Sequence, residues 1–276
     1  MRKAVLALLA LLLAGVALAA YAFAEARRDP VVRVAEIGLD RWPAGAAPVR
    51  VVLLSDIHIG TAAMGPARLA RIVAQVNALR PDLVVIAGDF VSGHVPDSAA
   101  RIGAPMVAPL AGLRAPLGVV AVLGNHDHWT GAAAVRAELA RARIAVVENG
   151  ALVRGPLALG GVGDDFTGHA DIAATMRAVR RLRGARVLFT HSPDIAPDLP
   201  ADAALLLAGH THCGQGVLPF WGPISEVSRY GARYRCGIRA EPARTVVVTG
   251  GLGTSGVPFR LGAPPDLWLL TLGPKR

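Results

Sequence analysis

The sequence of 276 residues contains few cysteine, lysine and aromatic residues, and these shortages exclude some kinds of site and partner. Its two cysteines, Cys213 and Cys236, are too few for a centre held by four thiolates, such as the common iron–sulfur clusters. In an exported protein they could form one disulfide, whereas in the cytosol they would be two thiols. No internal repeat is present, so the length indicates one sizeable α/β domain after an N-terminal segment.

Lysine is almost absent, because Lys3 and Lys275 are the only two, and arginine carries the formal net charge of +9. A basic surface suits an anionic substrate or anionic lipid headgroups, although a compositional bias towards Arg and Ala explains it equally well. Aromatic residues form 5% of the chain and do not interleave with a basic run, so we expect no nucleic-acid partner. No obligate protein partner is evident.

The N-terminus has a basic start, Met1-Arg2-Lys3, and then an uncharged run over residues 4–24. About 20 apolar residues span a bilayer core, so residues 1–24 are predicted to be a transmembrane anchor. A cleaved signal peptide is the alternative, since Ala22-Phe23-Ala24 has the small-x-small cleavage pattern. We expect a membrane-associated protein with this single anchor, or an exported one, and arginines on both sides of the run leave its orientation open.

Five short segments of Asp, Asn and His residues each follow a hydrophobic run that is typical of a strand. The runs are Val51–Ser55, Leu83–Ala87, Val119–Leu123, Arg186–Thr190 and Ala203–Ala208. The segments are Asp56-Ile57-His58, Gly88-Asp89, Gly124-Asn125-His126-Asp127, Thr190-His191 and Gly209-His210-Thr211-His212. Since loops at the carboxyl ends of strands converge in open α/β sheets, we expect one polynuclear metal centre.

The order of these segments, D-x-H, G-D, G-N-H-D, H and G-H-x-H, resembles that of the calcineurin-like metallophosphoesterase family. The resemblance runs from about Arg50 to the C-terminus. It implies an α/β fold, namely a four-layer α/β/β/α sandwich with two mixed sheets, here preceded by an N-terminal apolar helix. Residues 25–49 would be a linker and lead-in, and residues 50–276 the phosphoesterase domain.

The resemblance also implies a role for each ligand. Asp89 would bridge two metal ions. The first ion would be held by Asp56, His58, Asp89 and His212, and the second by Asp89, Asn125, His191 and His210. Imidazole, carboxylate and amide ligands suit two divalent ions of Mn, Fe or Zn. Such a pair clamps a phosphate and acidifies a shared water, so a metal-bridged hydroxide would attack a phosphodiester or pyrophosphate bond.

His126 is the predicted catalytic residue, because the matching histidine of the family faces the substrate. It would stabilise charge on the phosphoryl group or protonate the leaving alkoxide. Asp127 would orient His126, and a simple capping role is the alternative. Some relatives support this histidine with an Asp three residues after the bridging Asp, and Ser92 stands there instead.

Within the family, the segments Gly209–Gln215 and Gly251–Arg260 resemble those of a membrane-associated bacterial subgroup. Members of that subgroup resemble general phosphodiesterases, and some are UDP-2,3-diacylglucosamine pyrophosphatases of lipid A synthesis. The substrate would therefore be an anionic phosphoester, either soluble or lipid-linked.

Two functions of a different kind compete with this interpretation. One is a non-catalytic envelope-bound scaffold, and the intact ligand set argues against it. The second is a different metal hydrolase, such as an amidase. Two metals beside a positioned histidine match the charge of a phosphoryl group better than a neutral amide requires.

Helical spacing predicts helices over Pro66–Leu79, within Asp97–Leu113 with a break near a proline, over Ala132–Ala142 and over Asp171–Leu182. The runs Ile144–Val147, Ala151–Val153 and Leu157–Val162 are predicted to form antiparallel strands, because Asn149-Gly150 is a tight-turn signal. Thr245–Thr249 and Leu267–Thr271 would complete a sheet. We expect His94, His128 and His169 in surface loops, and Phe220 and Trp221 to pack.

Overall fold

Two six-stranded mixed sheets form the centre of the computed structural model, which describes residues 1–275. The helices are α1 (Arg2–Arg27), α2 (Pro66–Ala78), α3 (Ala99–Gly103), α4 (Val107–Leu110), α5 (Asn125–Arg141) and α6 (Ile172–Arg180). The strands are β1 (Val31–Leu39), β2 (Val49–Leu54), β3 (Leu83–Ala87), β4 (Val119–Val122), β5 (Ala145–Val146), β6 (Gly150–Arg154), β7 (Leu157–Gly161), β8 (Ala185–Phe189), β9 (Leu205–Ala208), β10 (Val217–Leu218), β11 (Gly222–Pro223), β12 (Gly237–Ala240), β13 (Thr245–Val248) and β14 (Asp266–Pro274).

The first sheet has the order β1-β14-β2-β3-β4-β5, and the second has the order β12-β13-β9-β8-β7-β6. In the first sheet β14 is antiparallel to β2, and the run from β2 to β5 is parallel. In the second sheet only the outer pairs, β12 with β13 and β6 with β7, are antiparallel. The carboxyl ends of β2, β3, β4, β8 and β9 are the ends that carry the five ligand segments.

Three apolar cores separate four layers, as the family resemblance implies. Leu53 of the first sheet and Leu207 of the second belong to one buried cluster between the sheets. Ile72 of α2 packs in a second cluster on the outer face of the first sheet. Met176 of α6 packs in a third on the outer face of the second sheet. The predicted α/β/β/α sandwich is therefore confirmed.

Burial on both faces explains why the central strands could be predicted from the sequence. Every residue of β3, β8 and β9 is buried, which is the reason that these strands are continuous hydrophobic runs rather than alternating ones. In α2 the buried residues recur at helical spacing and Pro66 stands in the first turn, where its missing N–H costs nothing. The predicted helix is confirmed to within one residue.

The break in the second predicted helix is also confirmed. A 3-10 turn at Ala104–Met106 separates α3 from α4, and it contains Pro105. The third predicted helix begins earlier than expected: α5 starts at Asn125 and bends at Gly131, whose φ of 126° is not helical. The ligand segment after β4 is therefore helical rather than a loop.

The antiparallel prediction is wrong for its first strand. β6 and β7 form the predicted antiparallel pair, but β5 pairs in parallel with β4 in the other sheet. Asn149, with φ of 52°, turns the chain from one sheet to the next instead of closing a hairpin. Its side-chain oxygen accepts hydrogen bonds from the backbone N–H groups of Gly163 and Asp171, which fixes the loop between them.

The prediction of a linker at residues 25–49 is also wrong. β1 lies within this segment and forms the edge of the first sheet by pairing in parallel with β14 over its whole length. Arg33 donates to Asp266 at 2.6 Å across this pair, so the edge strand is fixed by an ion pair as well. The lead-in is part of the fold because β14, at the other end of the chain, provides its partner.

α1 is long and apolar enough to cross a membrane, with a mean hydropathy of 2.5 over its most apolar window and no buried residue there. Its last two turns pack on the domain, where Ala22 and Ala26 are buried. The Ala22 carbonyl accepts from the Arg260 N–H at 3.0 Å, and the Phe23 and Phe259 rings lie 6.3 Å apart. The helix is thus joined to the domain by direct contacts.

A chain that begins at Glu25 should fold and be more soluble than the full chain, because it loses only the contacts of Ala22 and Phe23. Burial of one or two partly exposed apolar side chains stabilises a fold by about 1–2 kcal/mol. We expect that loss in the free energy of unfolding, measured by urea denaturation against the full chain in the same detergent. Phe23→Ala in the full chain is the matched control and should show part of the loss. A truncated chain without a cooperative transition would mean that α1 belongs to the core.

Candidate metal centre

Four donor atoms form a first cluster, which we call cluster A: Asp56 Oδ1, His58 Nε2, Asp89 Oδ2 and His212 Nε2. His58 Nε2 lies 3.1 Å from His212 Nε2 and 3.4 Å from Asp89 Oδ2. Asp56 Oδ1 lies 3.3 Å from His212 Nε2 and 3.9 Å from His58 Nε2. All four side chains are buried.

A second group of four donor atoms lies beside the first, and we call it cluster B: Asp89 Oδ2, Asn125 Oδ1, His191 Nε2 and His210 Nδ1. His191 Nε2 lies 3.0 Å from Asn125 Oδ1, 3.1 Å from His210 Nδ1 and 3.3 Å from Asp89 Oδ2. The opposite nitrogen of His191, Nδ1, donates to the Ala87 carbonyl at 2.7 Å, which leaves Nε2 free to bind a metal.

Asp89 Oδ2 belongs to both clusters, and this is the geometry that a bridging carboxylate needs. Its other oxygen, Oδ1, accepts from the backbone N–H of His126 at 2.9 Å, which fixes the carboxylate plane. The seven residues predicted as metal ligands are therefore brought together in the two groups predicted for them. Their role as ligands stays a prediction.

The residues present fit divalent cations. Asp56 Oδ1 is buried without a hydrogen-bond partner, while Asp56 Oδ2 accepts from Ser55 Oγ and from the His210 N–H. An unpartnered buried carboxylate oxygen is costly unless a cation meets it. The groupings Asp56–His58–His212 and Asp56–Asp89–His191 are close enough for one ion each. Nitrogen and oxygen donors without thiolate suit Mn, Fe or Zn.

Five of the seven proposed ligands have a left-handed backbone. Asp56, His58, Asp89, His210 and His212 have φ between 49° and 73°. This conformation costs about 1–3 kcal/mol for a residue with a side chain, and it persists where the surroundings over-determine it. The sequence carries no signal of this strain, which aims the side chains over the ends of the strands.

Two glycines beside the ligands lie too close to their neighbours to carry a side chain. A Cβ on Gly124 would collide with the Asp89 carboxylate, and one on Gly88 would lie 2.7 Å from the Gly124 N. Gly88 also has φ of 81°. Close approach of the backbone at the strand ends therefore explains why glycine stands at both positions.

Burial dominates the electrostatics of the centre. It raises the pKa of Asp56 to about 6 and lowers the pKa of His58 and of His210 to about 3. Burial also acts to raise the pKa of Asp89. The charge and the hydrogen bond of His191 outweigh this effect, so the pKa of Asp89 is lowered. The same ion pair raises the pKa of His191 well above 6.5 against its own burial. Asp89 is therefore the fixed anion of the centre.

Asp127 does not orient the ring of His126, which corrects its predicted catalytic role. Its Oδ1 accepts from the N–H groups of Phe90 and Val91 at 2.9 and 3.2 Å, and Oδ2 accepts from the Gly124 N–H at 2.9 Å. It caps the start of α5 and ties that start to the loop after β3. Burial and the nearby Asp89 raise its pKa to about 7. The capping alternative is the one that the structure supports.

His126 is positioned by a backbone carbonyl in place of the missing carboxylate. Its Nδ1 lies 2.8 Å from the Gly93 carbonyl, and its Nε2 lies 3.2 Å from Ser255 Oγ at the cleft. Ser92, at the position where some relatives carry Asp, donates instead to the Ile59 carbonyl. A donor bond from Nδ1 to Gly93 leaves Nε2 as the nitrogen that faces a substrate.

Arg260 contacts the site but was not predicted from the sequence, although it is the last residue of the segment Gly251–Arg260. Its guanidinium is fully buried and donates to the carbonyls of Gly250, Gly253 and Ala263. It also lies 3.2 Å from His212 Nδ1. Burial, His58 and this guanidinium hold the pKa of His212 well below 6.5, so His212 is neutral and suited to bind a metal.

Aromatic side chains wall the cleft above cluster B. Trp129 lies 4.7 Å from His94 and 6.0 Å from Phe166, and Phe166 lies 4.8 Å from His210, as distances between ring centroids. His94, expected in a surface loop, therefore belongs to the cleft, which measures about 170 Å³. Trp129 stands two residues after the end of a ligand segment, and that proximity is the signal that could have identified it.

The remaining residues whose positions were predicted from the sequence lie outside the two clusters. His128 stacks on His169 at 3.8 Å, away from the donor atoms. Phe220 and Trp221 do not pack as expected, because they are almost wholly exposed. Cys213 and Cys236 form a disulfide with their Cα atoms 4.9 Å apart, which settles the open question of their pairing.

Comparison with known proteins gives the same family as the motifs. The family model for calcineurin-like phosphoesterases matches residues 49–214. A "transmembrane protein with metallophosphoesterase domain" of Danio rerio is 32% identical, with 96% of this chain and 62% of the relative covered. The metallophosphoesterase YkuE of Bacillus subtilis is 32% identical, with 83% of this chain and 81% of the relative covered.

Some relatives are much longer than this protein. The chain spans 52% of the length of a metallophosphoesterase of Caenorhabditis elegans, with 30% identity over 88% of this chain. A solved structure from Thermus thermophilus aligns with a TM-score of 0.48 and 14% identity, covering 75% of this chain and 91% of the other. That likeness is too low to carry an argument.

Asp89→Ala should lower bound metal from about two ions per chain towards none, because Asp89 Oδ2 faces both clusters. His212→Ala should be milder, because it removes one donor from cluster A alone. Elemental analysis of the purified proteins measures both. His169→Ala, a histidine outside the clusters, is the matched control and should keep the full metal content. Two ions bound to Asp89→Ala would remove the bridging role.

Proposed function

Because the chain belongs to the calcineurin-like phosphoesterase family, we propose that it is a metal-dependent phosphoric ester hydrolase with two divalent ions, acting on phosphodiester or pyrophosphate bonds. The observation that carries the proposal is the position of Asp89 Oδ2, 3.4 Å from His58 Nε2 and 3.3 Å from His191 Nε2. One carboxylate oxygen thus joins two nearly complete sets of metal donors. Mn, Fe and Zn are the ions that these donors suit.

The bound ions would neutralise charge on the phosphoryl oxygens and lower the pKa of a water molecule between them. The protein's own residues hold that arrangement. Asp56, Asp89 and the four ligand histidines keep their places through the backbone and carbonyl contacts described above. Their burial excludes bulk water, so the charges act at a low local dielectric.

His126 would act on the substrate rather than on the metals. The Gly93 carbonyl holds the ring by Nδ1, and Nε2 points towards Ser255 at the cleft. A proton on Nε2 can pass to the leaving alkoxide, or its hydrogen bond can stabilise the phosphoryl oxygen. In this structure Ser255 Oγ is the hydrogen-bond partner of Nε2.

Membrane association is supported by α1 and by the name of the relative from Danio rerio, which is called a transmembrane protein. We propose that α1 is a single anchor and that the domain stands at the bilayer surface. The contacts of Ala22 and Phe23 with the domain support a position of the centre close to the end of this anchor.

Purified full-length protein supplied with Mn, Zn or Fe should hydrolyse bis(p-nitrophenyl) phosphate, a soluble phosphodiester, and lose this activity on chelation. p-Nitrophenyl phosphate, a monoester, and a nucleoside diphosphate sugar as the pyrophosphate distinguish the bond types. Release of nitrophenolate measures the first two reactions, and formation of the nucleoside monophosphate, separated by chromatography, measures the third. No turnover of any of the three with any of the metals would contradict the proposal and favour the scaffold alternative.

His126→Ala should keep the full metal content and lose about 10²–10⁴-fold in rate, the usual effect of a positioned general acid. The loss should be larger for alkyl esters, whose leaving groups need a proton, than for nitrophenyl esters. Rates for both substrates and elemental analysis measure this.

His128→Ala is the matched control for this variant, because His128 lies two residues away and outside the cleft. Its rates should stay unchanged. An equal loss across leaving groups in His126→Ala would assign His126 to charge stabilisation. Loss of metal would make it a ligand.

A further inference from the structure

An apolar groove lies between α1 and the loops that follow cluster A, and it has a volume of about 440 Å³. We call it the α1 groove. On one side it is lined by Gly15, Leu18, Ala19 and Ala22 of α1. On the other it is lined by residues that include Gly216, Ile224, Phe259 and Leu261. No charged side chain lines it, so its chemistry suits an apolar ligand.

The one long polar side chain in the groove is already satisfied. The Gln215 amide donates to the Ser255 and Val257 carbonyls at 2.9 and 3.2 Å, and its oxygen accepts from the Ser255 N–H at 2.9 Å. It therefore offers little to a polar ligand. Its bonds instead hold the two loops of the groove wall together.

A second, smaller groove of about 190 Å³ connects the α1 groove to the metal cleft. It shares Gly214, Gln215 and Ser225 with the α1 groove. It shares His212 and Val227 with the metal cleft. The three cavities therefore lie side by side, from α1 to a proposed metal ligand.

The α1 groove runs along the second half of α1. Gly15–Ala22 is the part of α1 that runs into its packed end, where Ala22 is buried, and at about 1.5 Å per residue it extends for about 10 Å along the axis. If α1 spans a hydrocarbon core of about 30 Å that ends near Ala24, this part lies in the leaflet next to the domain. The exposed Phe220 and Trp221 lie on the β10–β11 hairpin, which leads to the groove residue Ile224 and suits the membrane interface.

We propose that the α1 groove takes an acyl chain of a bilayer phospholipid, whose phosphodiester then reaches the metal centre through the connecting groove. This substrate class rests on the proposed hydrolase function. In the reaction the oxygen of water forms a new P–O bond, one ester P–O bond breaks, and the leaving alcohol takes up the proton. The lipid would enter sideways from the leaflet, since α1 itself forms one wall.

The first test measures binding and does not need activity. Full-length protein is placed in phosphatidylcholine vesicles that contain phosphatidylglycerol with a diazirine at the end of one acyl chain. After illumination, mass spectrometry should find the label on Gly214–Gly216 and Val257–Leu261. Label found only on α1 would overturn the inference.

Two tryptophan variants of α1 separate the groove from the rest of the helix. Ala19→Trp fills the groove and should lower labelling of its loops at least fivefold. Ala17→Trp, on the same helix but outside the groove, is the matched control and should leave labelling unchanged. Gly15→Phe is a second blocking variant, since a Cβ there meets nothing within 4 Å. Unchanged labelling in both blocking variants would overturn the inference.

Kinetics with Mn then separate this inference from the proposed function. Ala19→Trp should hydrolyse phosphatidylglycerol in vesicles at least tenfold more slowly, with bis(p-nitrophenyl) phosphate hydrolysis within about twofold of the unaltered protein. Equal loss on both substrates would mean that the groove supports the fold, which overturns the inference. If the unaltered protein cleaves neither substrate, the proposed function fails, and the labelling result still decides whether the groove holds lipid.

Discussion

The burial of two carboxylates, Asp56 and Asp89, at the junction of the two sheets is the constraint on which the rest of the structure depends. Two anions cannot both stay ionised in a dry site unless cations meet them. In the protein alone, His191 meets Asp89, while burial raises the pKa of Asp56 to about 6 and leaves its Oδ1 without a partner. The negative charge of the two carboxylates is therefore not fully compensated within the protein, and divalent cations would compensate it.

The sheets supply the rigidity that this arrangement requires. Each ligand segment follows a strand with both faces buried or nearly so, and five ligands hold a left-handed backbone that costs free energy. Arg260 adds a buried guanidinium that gathers the carbonyls of the loop over Asp56 and touches His212. A flexible loop could not keep these conformations, because the strain would relax into a more ordinary backbone.

The sequence predicted what depends on local pattern and on short motifs. The central strands were readable because full burial makes them continuous apolar runs, and the two groups of ligands followed from the family resemblance. Strand pairing between distant segments could not be predicted from the sequence. As a result, β1 was mistaken for a linker and β5 was assigned to the wrong sheet. Both errors concern a partner strand that no local turn signal identifies: β14 for β1, and β4 for β5.

The same limit applies within the candidate site. Asp127 stands next to His126 in the sequence, yet the helix that begins at Asn125 turns its carboxylate towards the backbone of Phe90 and Val91. Gly93 supports His126 through a carbonyl, which any residue possesses, so no side-chain pattern could reveal it. Arg260 and Phe166 reach the site from segments that carry no ligand. Neighbours in the sequence therefore did not predict the side-chain contacts of Asp127 and His126, because backbone groups make those hydrogen bonds.

The position of the centre relative to α1 is fixed by hydrogen bonds rather than by the reach of a linker. Arg68 donates to the carbonyls of Arg27 and Arg28 at the end of α1 and to the Leu252 carbonyl at 2.9 Å. The Leu252 N–H in turn donates at 3.0 Å to the carbonyl of Ser55, which precedes Asp56. A flexible tether would let the centre sample many heights above a bilayer. This chain of bonds, with β1 following in the first sheet, instead holds the centre at one height and one orientation relative to α1.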